Sequence, residues 1–224
     1  MEYRELFEEL RANRTENARA MFAYLRNQFP FLGLKSGKRR EITRPYLKQA
    51  KQEARQTYKE NPNSDIIDWD FVHSCWQQEE REFQYIAADY LKDVRPYLKK
   101  EDLHQLQTVI TNKSWWDSVD ALVKMVGYLA QKYPELKDQL VAWSVSDDIW
   151  LRRTSIISQL SMKDETDTAL LEEAIANNLG SSEFFINKAI GCALRDYARS
   201  NEDWVVEFLT KYKEKLKLIY GGLI

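Results

Sequence analysis

Hydrophobic positions recur with a helical period along most of the chain. The clearest stripe is Trp115, Val119, Leu122, Val126 and Leu129, at spacings of four and three, which marks the core face of an amphipathic helix beginning at Ser114–Trp115. Similar patterns predict a short helix from Tyr3 to about Leu10. A second helix is expected after Asn13 or Thr15 as cap, running to about Phe29, with Pro30 and Gly33 closing it. After the turn at Phe31-Leu32-Gly33-Leu34, Ser36 is the expected cap of a third, basic helix. That segment carries Lys35, Lys38, Arg39, Arg40, Arg44, Lys48, Lys51 and Arg55, and Asn61-Pro62-Asn63-Ser64 ends it as a loop.

Beyond this loop the pattern repeats in helix pairs. The second helices begin near Glu79, Trp115, Asp148 and Ser182, roughly 32–36 residues apart. Aligned, they read Phe83-x3-Ala87-x3-Leu91, Trp116-x3-Asp120, Trp150-x3-Thr154 and Phe185-x3-Ala189. The first helices fall at about 65–76, 101–111, 135–145 and 166–177. That period is the one found in HEAT-like and armadillo-like solenoids, where each pair buries its apolar face only against neighbouring pairs. The second helices would form an inner, concave layer and the first helices the outer one. No alternating strand pattern and no Asn-Gly or Asp-Gly hairpin competes with this reading. The expected fold is all-α, a single domain over residues 1–224 with no linker.

Composition agrees with this fold. Across 224 residues, 44% are hydrophobic and 12% aromatic, enough for a folded core, while seven glycines and five prolines are few for the length. The formal net charge of −2, from 33 basic and 35 acidic residues, gives no bulk support to nucleic-acid binding, so any such role must rest on local clustering. Two cysteines are too few for a disulfide framework and point to a reducing compartment. With no signal-like apolar segment after Met1-Glu2-Tyr3-Arg4-Glu5 and no run long enough to span a membrane, the expected location is cytoplasmic. No oligomer signal is present, so a monomer is expected.

Candidate chemistry clusters on the second helices. Trp116 and Asp120 are four apart and lie on one flank of their helix, an aromatic plate beside a carboxylate. That pair suits a cationic, ring-shaped ligand. Asp147-Asp148 opens the next second helix with an acidic cap, and Trp150, Arg153, Ile157 and Leu160 share its stripe. Arg153 therefore interrupts an apolar face and needs an anion beside it. Asp120, placed at the matching position of the previous repeat, is the natural partner. The pair reads either as a structural tie between repeats or as an arginine that fixes the orientation and ionised form of Asp120. On the last second helix Lys188, Cys192, Arg195 and Arg199 form a basic ridge, and the helix bearing Lys35, Lys38 and Arg39 offers amides and charge to a phosphate. A solvated helix face is the competing reading of both sets. Tyr24, on the face of Ala20 and Asn27, reads as packing. His73, Cys75 and His104 lack zinc-site spacing, and no dinucleotide, Walker or nucleophile-elbow motif is present, so neither metal nor cofactor is expected.

Taken together, five segments carry a resemblance. They are Phe31-Leu32-Gly33-Leu34-Lys35, Glu80-Arg81-Glu82-Phe83-Gln84, Lys113 to Asp120, Asp148 to Arg153, and Phe184-Phe185-Ile186-x-Lys188-Ala189-Ile190-Gly191, in that order. They resemble the alkylpurine DNA glycosylases of the AlkD type, in the DNA alkylation repair enzyme family, from about residue 5 to about residue 208. The resemblance implies a right-handed superhelical solenoid of HEAT-like repeats holding double-stranded DNA on a basic concave face. It also implies metal-independent hydrolysis of the N-glycosidic bond of N3- and N7-alkylated purines. By the same resemblance, Trp116 stands beside the lesion, Asp120 is the catalytic carboxylate, Arg153 supports it, and Tyr24 contributes from the far side.

Two departures from the family pattern qualify this reading. Cys192 stands where the family usually has tryptophan after Ala-Ile-Gly, so a second indole wall is missing. The segment from Lys211 to Ile224 lacks the usual final Leu-Ser-x-Arg-Glu helix. Two other readings therefore stay open: a non-catalytic relative that binds altered duplex, and a HEAT-like protein-interaction scaffold.

Overall fold

The structure, a computed structural model, describes residues 3–220, and all regular structure among them is helical. The chain forms two compact units, residues 1–99 and 100–224.

In the first unit, α1 (Tyr3–Ala12), α2 (Ala18–Tyr24), α3 (Ser36–Glu60), α4 (Trp69–Gln77) and α5 (Arg81–Val94) follow one another. Both α1 and α5 pack on α3, and α4 pairs with α5. Leu6, Leu10, Phe71, Phe83, Ile86 and Leu91 are fully buried at their meeting. α2 is shorter than its apolar pattern suggests. It stops at Tyr24 because Arg26 and Asn27 take left-handed backbone angles (φ 54° and 59°), which a right-handed helix cannot continue through. Ser36 is the first residue of α3 rather than its cap; Lys35 holds the cap position without a side-chain cap bond.

The turn between α2 and α3 is built around Glu82. Its carboxylate, fully buried, accepts the backbone N–H groups of Leu32 (2.9 Å), Gly33 (2.8 Å) and Leu34 (3.0 Å). Gly33 sits at φ 88°, and a Cβ there would lie 2.5 Å from the Ala18 nitrogen, so the turn excludes a side chain. Arg81 lays its guanidinium over Phe29 (4.0 Å) and donates its backbone N–H to the Pro30 carbonyl. Gln84 caps the end of α4 through the carbonyls of Cys75 and Gln78.

The second unit contains α6 (Asp102–Ile110), α7 (Trp116–Lys132), α8 (Lys137–Ser144), α9 (Ile149–Ile157), α10 (Thr168–Ala176), α11 (Phe184–Tyr197), α12 (Glu202–Lys211) and α13 (Lys213–Tyr220). α6 packs on α7, α8 on α9 and α11 on α12. α9 packs against both α7 and α11, and α8 and α10 pack on each other and on α9. Asp148 and Asp167 cap α9 and α10 through two backbone N–H groups each. Gly127 allows a close approach of α7 to the end of α9: a Cβ there would meet the Ser158 carbonyl oxygen at 2.0 Å. Ser155 ties α9 to the Leu140 carbonyl, and Asn178 ties the end of α10 to the Ser144 carbonyl. In the C-terminal segment that departs from the family pattern, Lys211 ends α12 and Lys213–Tyr220 forms α13. Lys211 and Tyr212 bond Glu172 of α10, and residues 221–224 lie outside the described residues. No helix among the described residues is long and apolar enough to cross a membrane.

Candidate functional site

Asp120 lies one turn into α7, and its position follows from the entry to that helix. Lys113 turns the chain with a left-handed angle (φ 50°), Ser114 donates to the Ile110 carbonyl, and Trp115 is extended at the cap position. Trp115 thus precedes the helix rather than starting its core stripe. Below it, Val119, Leu122, Val126 and Leu129 are fully buried.

Arg153 reaches Asp120 from α9. Its Nε donates to Oδ1 at 2.8 Å and its Nη2 to Oδ2 at 2.7 Å, a planar two-bond pairing. Its remaining Nη1 donates to the Phe185 carbonyl at the start of α11, 2.8 Å away. One guanidinium thereby joins α7, α9 and α11. The side chain of Arg153 is only 6% exposed while that of Asp120 is 36% exposed. The arginine is enclosed; the carboxylate presents an open edge to solvent. Lysine at 153 would keep the charge but not the fork.

An aromatic triangle covers the neighbouring helix starts. Trp115, Trp150 and Phe185 place their ring centres 5.0–5.8 Å apart, and Phe184, exposed, meets Phe185 edge-on at 5.3 Å. The sequence alignment put Trp116 in register with Trp150 and Phe185; the ring that closes the triangle belongs to Trp115. Trp116 is the first residue of α7, half-buried, one turn before Asp120. Adjacent indoles in one sequence motif cannot be assigned to packing or to a site by periodicity, because the helix boundary falls between them.

The remaining candidates separate into exposed and enclosed residues. Lys188, Cys192 and Arg195 are all exposed along α11, with Lys188 over the Phe184 ring at 5.6 Å. Cys192 offers a thiol, not a ring, to this ridge. Tyr24, at the end of α2, is 73% exposed, which corrects its reading as a packing residue. Lys35, at the cap position before α3, and Lys38, in its first turn, are exposed. Arg39, expected to face outward with them, is turned inward. It is 7% exposed, pairs with Asp89 at 3.2 Å and stacks over Tyr85 at 4.9 Å. Cys75 is fully buried, and burial followed by the charge of Asp68 pushes its thiol well above the ordinary range.

Among the described residues, which are all-helical in their regular structure, the geometry places an arginine-held carboxylate open to solvent beside aromatic helix starts. The sequence of residues 6–220 matches the family described as DNA alkylation repair enzyme. This chain belongs to that family, which is the family of the sequence resemblance. A solved structure described as a predicted DNA alkylation repair enzyme from Enterococcus faecalis is similar to it, with a TM-score of 0.77 and 27% identity. The similarity covers 92% of this chain and 95% of that one. No curated protein matches the sequence closely enough to count as a relative.

Proposed function

We propose that this protein is a DNA glycosylase that hydrolyses the N-glycosidic bond of N3- and N7-alkylated purines in duplex DNA. The observation that carries the reading is the Asp120–Arg153 pair, with an enclosed guanidinium and a half-open carboxylate. A carboxylate serving only as a structural tie has no need of that open edge. The repeated helix pairs, in this reading, are HEAT-like repeats.

The chemistry asks little of the protein. An N3- or N7-alkylated purine already carries positive charge, so the C1′–N bond breaks with its electron pair going to a base that becomes neutral. Positive charge moves to the sugar as an oxocarbenium ion. A unit negative charge about 4 Å away contributes roughly 4 kcal/mol at the effective dielectric of a protein surface, about a thousandfold in rate. Asp120 supplies that charge, and the fork of Arg153 keeps its oxygens from rotating, so no reorganisation is needed as the cation forms. Water then adds to C1′ and loses a proton, leaving the sugar as a hemiacetal. Trp116 adds the attraction of an indole face for the cationic base and sugar. No Lewis acid is required by a leaving group that is already cationic.

Duplex DNA carrying 7-methylguanine or 3-methyladenine tests this reading. Base release above the spontaneous rate is expected, falling at least about 100-fold in Asp120→Asn, or roughly 2.7 kcal/mol. Absence of release, or release unchanged by that substitution, overturns it. Cys192 favours a second reading, a non-catalytic relative that binds altered duplex. In that case the wild-type chain binds DNA in a salt-dependent way without releasing base, and Cys192→Trp gains activity.

A further inference from the structure

The second unit holds a cavity that the Asp120 site does not use. Its volume is about 220 Å³, far above the roughly 10–15 Å³ that admits one water. The floor is apolar, built from buried Gly127 and Ala130 of α7, buried Leu170 of α10 and half-buried Met162. Gln131, at its edge, lies roughly 16 Å down the α7 axis from Asp120. The cavity and the candidate site therefore sit at opposite ends of that helix.

The segment between α9 and α10 forms one side of this space, and it is tied so that it cannot fold in. Gln159 and Asp167 bond each other twice: the amide Nε2 donates to the Asp167 carbonyl at 2.9 Å, and the Asp167 N–H donates to Oε1 at 2.7 Å. The Ser161 N–H donates to the Asp196 carboxylate of α11 at 2.6 Å. Between these ties Ser161 and Lys163 hold left-handed angles, φ 70° and 54°, a conformation that costs energy in an L-residue. A loop under no constraint would relax from those angles and close over the gap. This one is fixed open.

The polar lining sets the ligand class. Asp167 is fully engaged: one oxygen accepts the N–H groups of Ala169 and Leu170, and the other accepts Lys137 Nζ at 2.6 Å. Lys137 has three donors and uses one of them there, and its side chain is 38% exposed. Glu165, exposed, accepts only the Gln131 amide, at 3.4 Å, among the described residues. The lining thus offers an ammonium with donors to spare and a carboxylate with lone pairs to spare, over an apolar floor. A ligand with one charge satisfies one of these groups and is repelled by the other; a zwitterion satisfies both. No aromatic ring lines the cavity, so a nucleobase would find nothing to stack on. We propose that this cavity binds a small zwitterion of the α-amino acid class with a short aliphatic side chain. Its carboxylate meets Lys137, its ammonium meets Glu165, and its side chain lies on Ala130, Met162 and Leu170.

The test is titration of the full chain, followed by backbone amide NMR, with three probes that share one carbon skeleton. They are L-leucine, 3-methylbutylamine, which lacks the carboxylate, and 4-methylpentanoate, which lacks the ammonium. Leucine should give saturable shifts at Gln131, Glu165 and Asp167, and should bind at least about tenfold tighter than either single-charge probe, since each of those forgoes one charge-assisted contact. Glu165→Gln, at an exposed position, should leave the fold intact and weaken leucine about tenfold without weakening 4-methylpentanoate. Ala130→Leu fills the floor and should abolish binding of all three, with circular dichroism checking its fold. No saturable leucine binding at millimolar concentration, an amine that binds as tightly as leucine, or leucine binding unchanged by Glu165→Gln each overturn the site. Base release does not enter these readouts, so the result stands apart from that of the glycosylase reading.

Discussion

Glu82 and Asp120 are both carboxylates near the start of the second helix of a pair, and the fold treats them in opposite ways. Glu82 is fully buried and accepts three backbone N–H groups from residues 32–34, so both oxygens are engaged by the turn they hold. Asp120 is held by one arginine and keeps an open edge. The first is a fastener: its charge is neutralised by dipoles that cannot leave. The second retains charge that an arriving cation can use. Burial, rather than residue type or helix position, separates a structural carboxylate from a candidate catalytic one.

Substitution at Glu82 should give the largest change in stability. Glu82→Gln loses a charged acceptor for three enclosed N–H groups and is expected to cost about 3 kcal/mol or more, read by chemical denaturation. Asp120→Asn, in the same experiment, should cost less, because an amide oxygen still accepts from Arg153 and the Phe185 carbonyl remains. If Asp120→Asn destabilises as much as Glu82→Gln, the contrast between fastener and open carboxylate fails.

Asp167 is an intermediate case. It caps α10, and the hydrogen bond from Lys137 (2.6 Å), followed by the backbone N–H bonds of Leu170 and Ala169, holds its carboxyl below the ordinary value against the opposing effect of burial. A carboxyl lowered in the folded state stabilises the fold above its unfolded value, about pH 4. That contribution disappears as pH falls through the lower, folded value. Asp167→Ala should cost about 1 kcal/mol at neutral pH. The gap between variant and wild type should close below about pH 4; a gap independent of pH over that range overturns the assignment.

The smallest expected effect separates two adjacent indoles. Trp115 Nε1 is buried without an acceptor among the described residues. Trp115→Phe therefore keeps a ring in the triangle and removes an unpaired donor, and stability should change by less than about 1 kcal/mol with base release unchanged. Trp116→Phe should lower base release by roughly threefold to tenfold, the difference in cation attraction between indole and benzene rings. The reverse pattern in the two assays would exchange their roles.

Much of the helical order was legible from periodicity alone. The expected first helices near 65–76, 101–111, 135–145 and 166–177 overlap α4, α6, α8 and α10, and the second helices begin within about two residues of the expected points. Long apolar stripes and acidic caps such as Asp148 are local signals, and they survive packing. The short α2 was not legible, because its end depends on two left-handed residues that carry no strong sequence mark. Nor was the role of Glu80 to Gln84. Its residues read as part of a site-bearing resemblance, whereas in the structure Glu82 and Gln84 satisfy buried backbone groups of residues distant in sequence.

The site divides along the same line. Residue spacing was enough to show that Arg153 interrupts an apolar stripe and requires an anion, since an enclosed guanidinium cannot stay unpaired. It also determined that Trp116 and Asp120 share a helix flank, since positions four apart are neighbours on any α-helix. Packing between distant segments settled that the ring of Trp115 joins Trp150 and Phe185, that Arg39 turns inward to Asp89, and that Lys92 lies beside the basic row of α3. Those outcomes depend on which side of each helix its neighbours cover, and that is fixed by packing between segments distant in the chain.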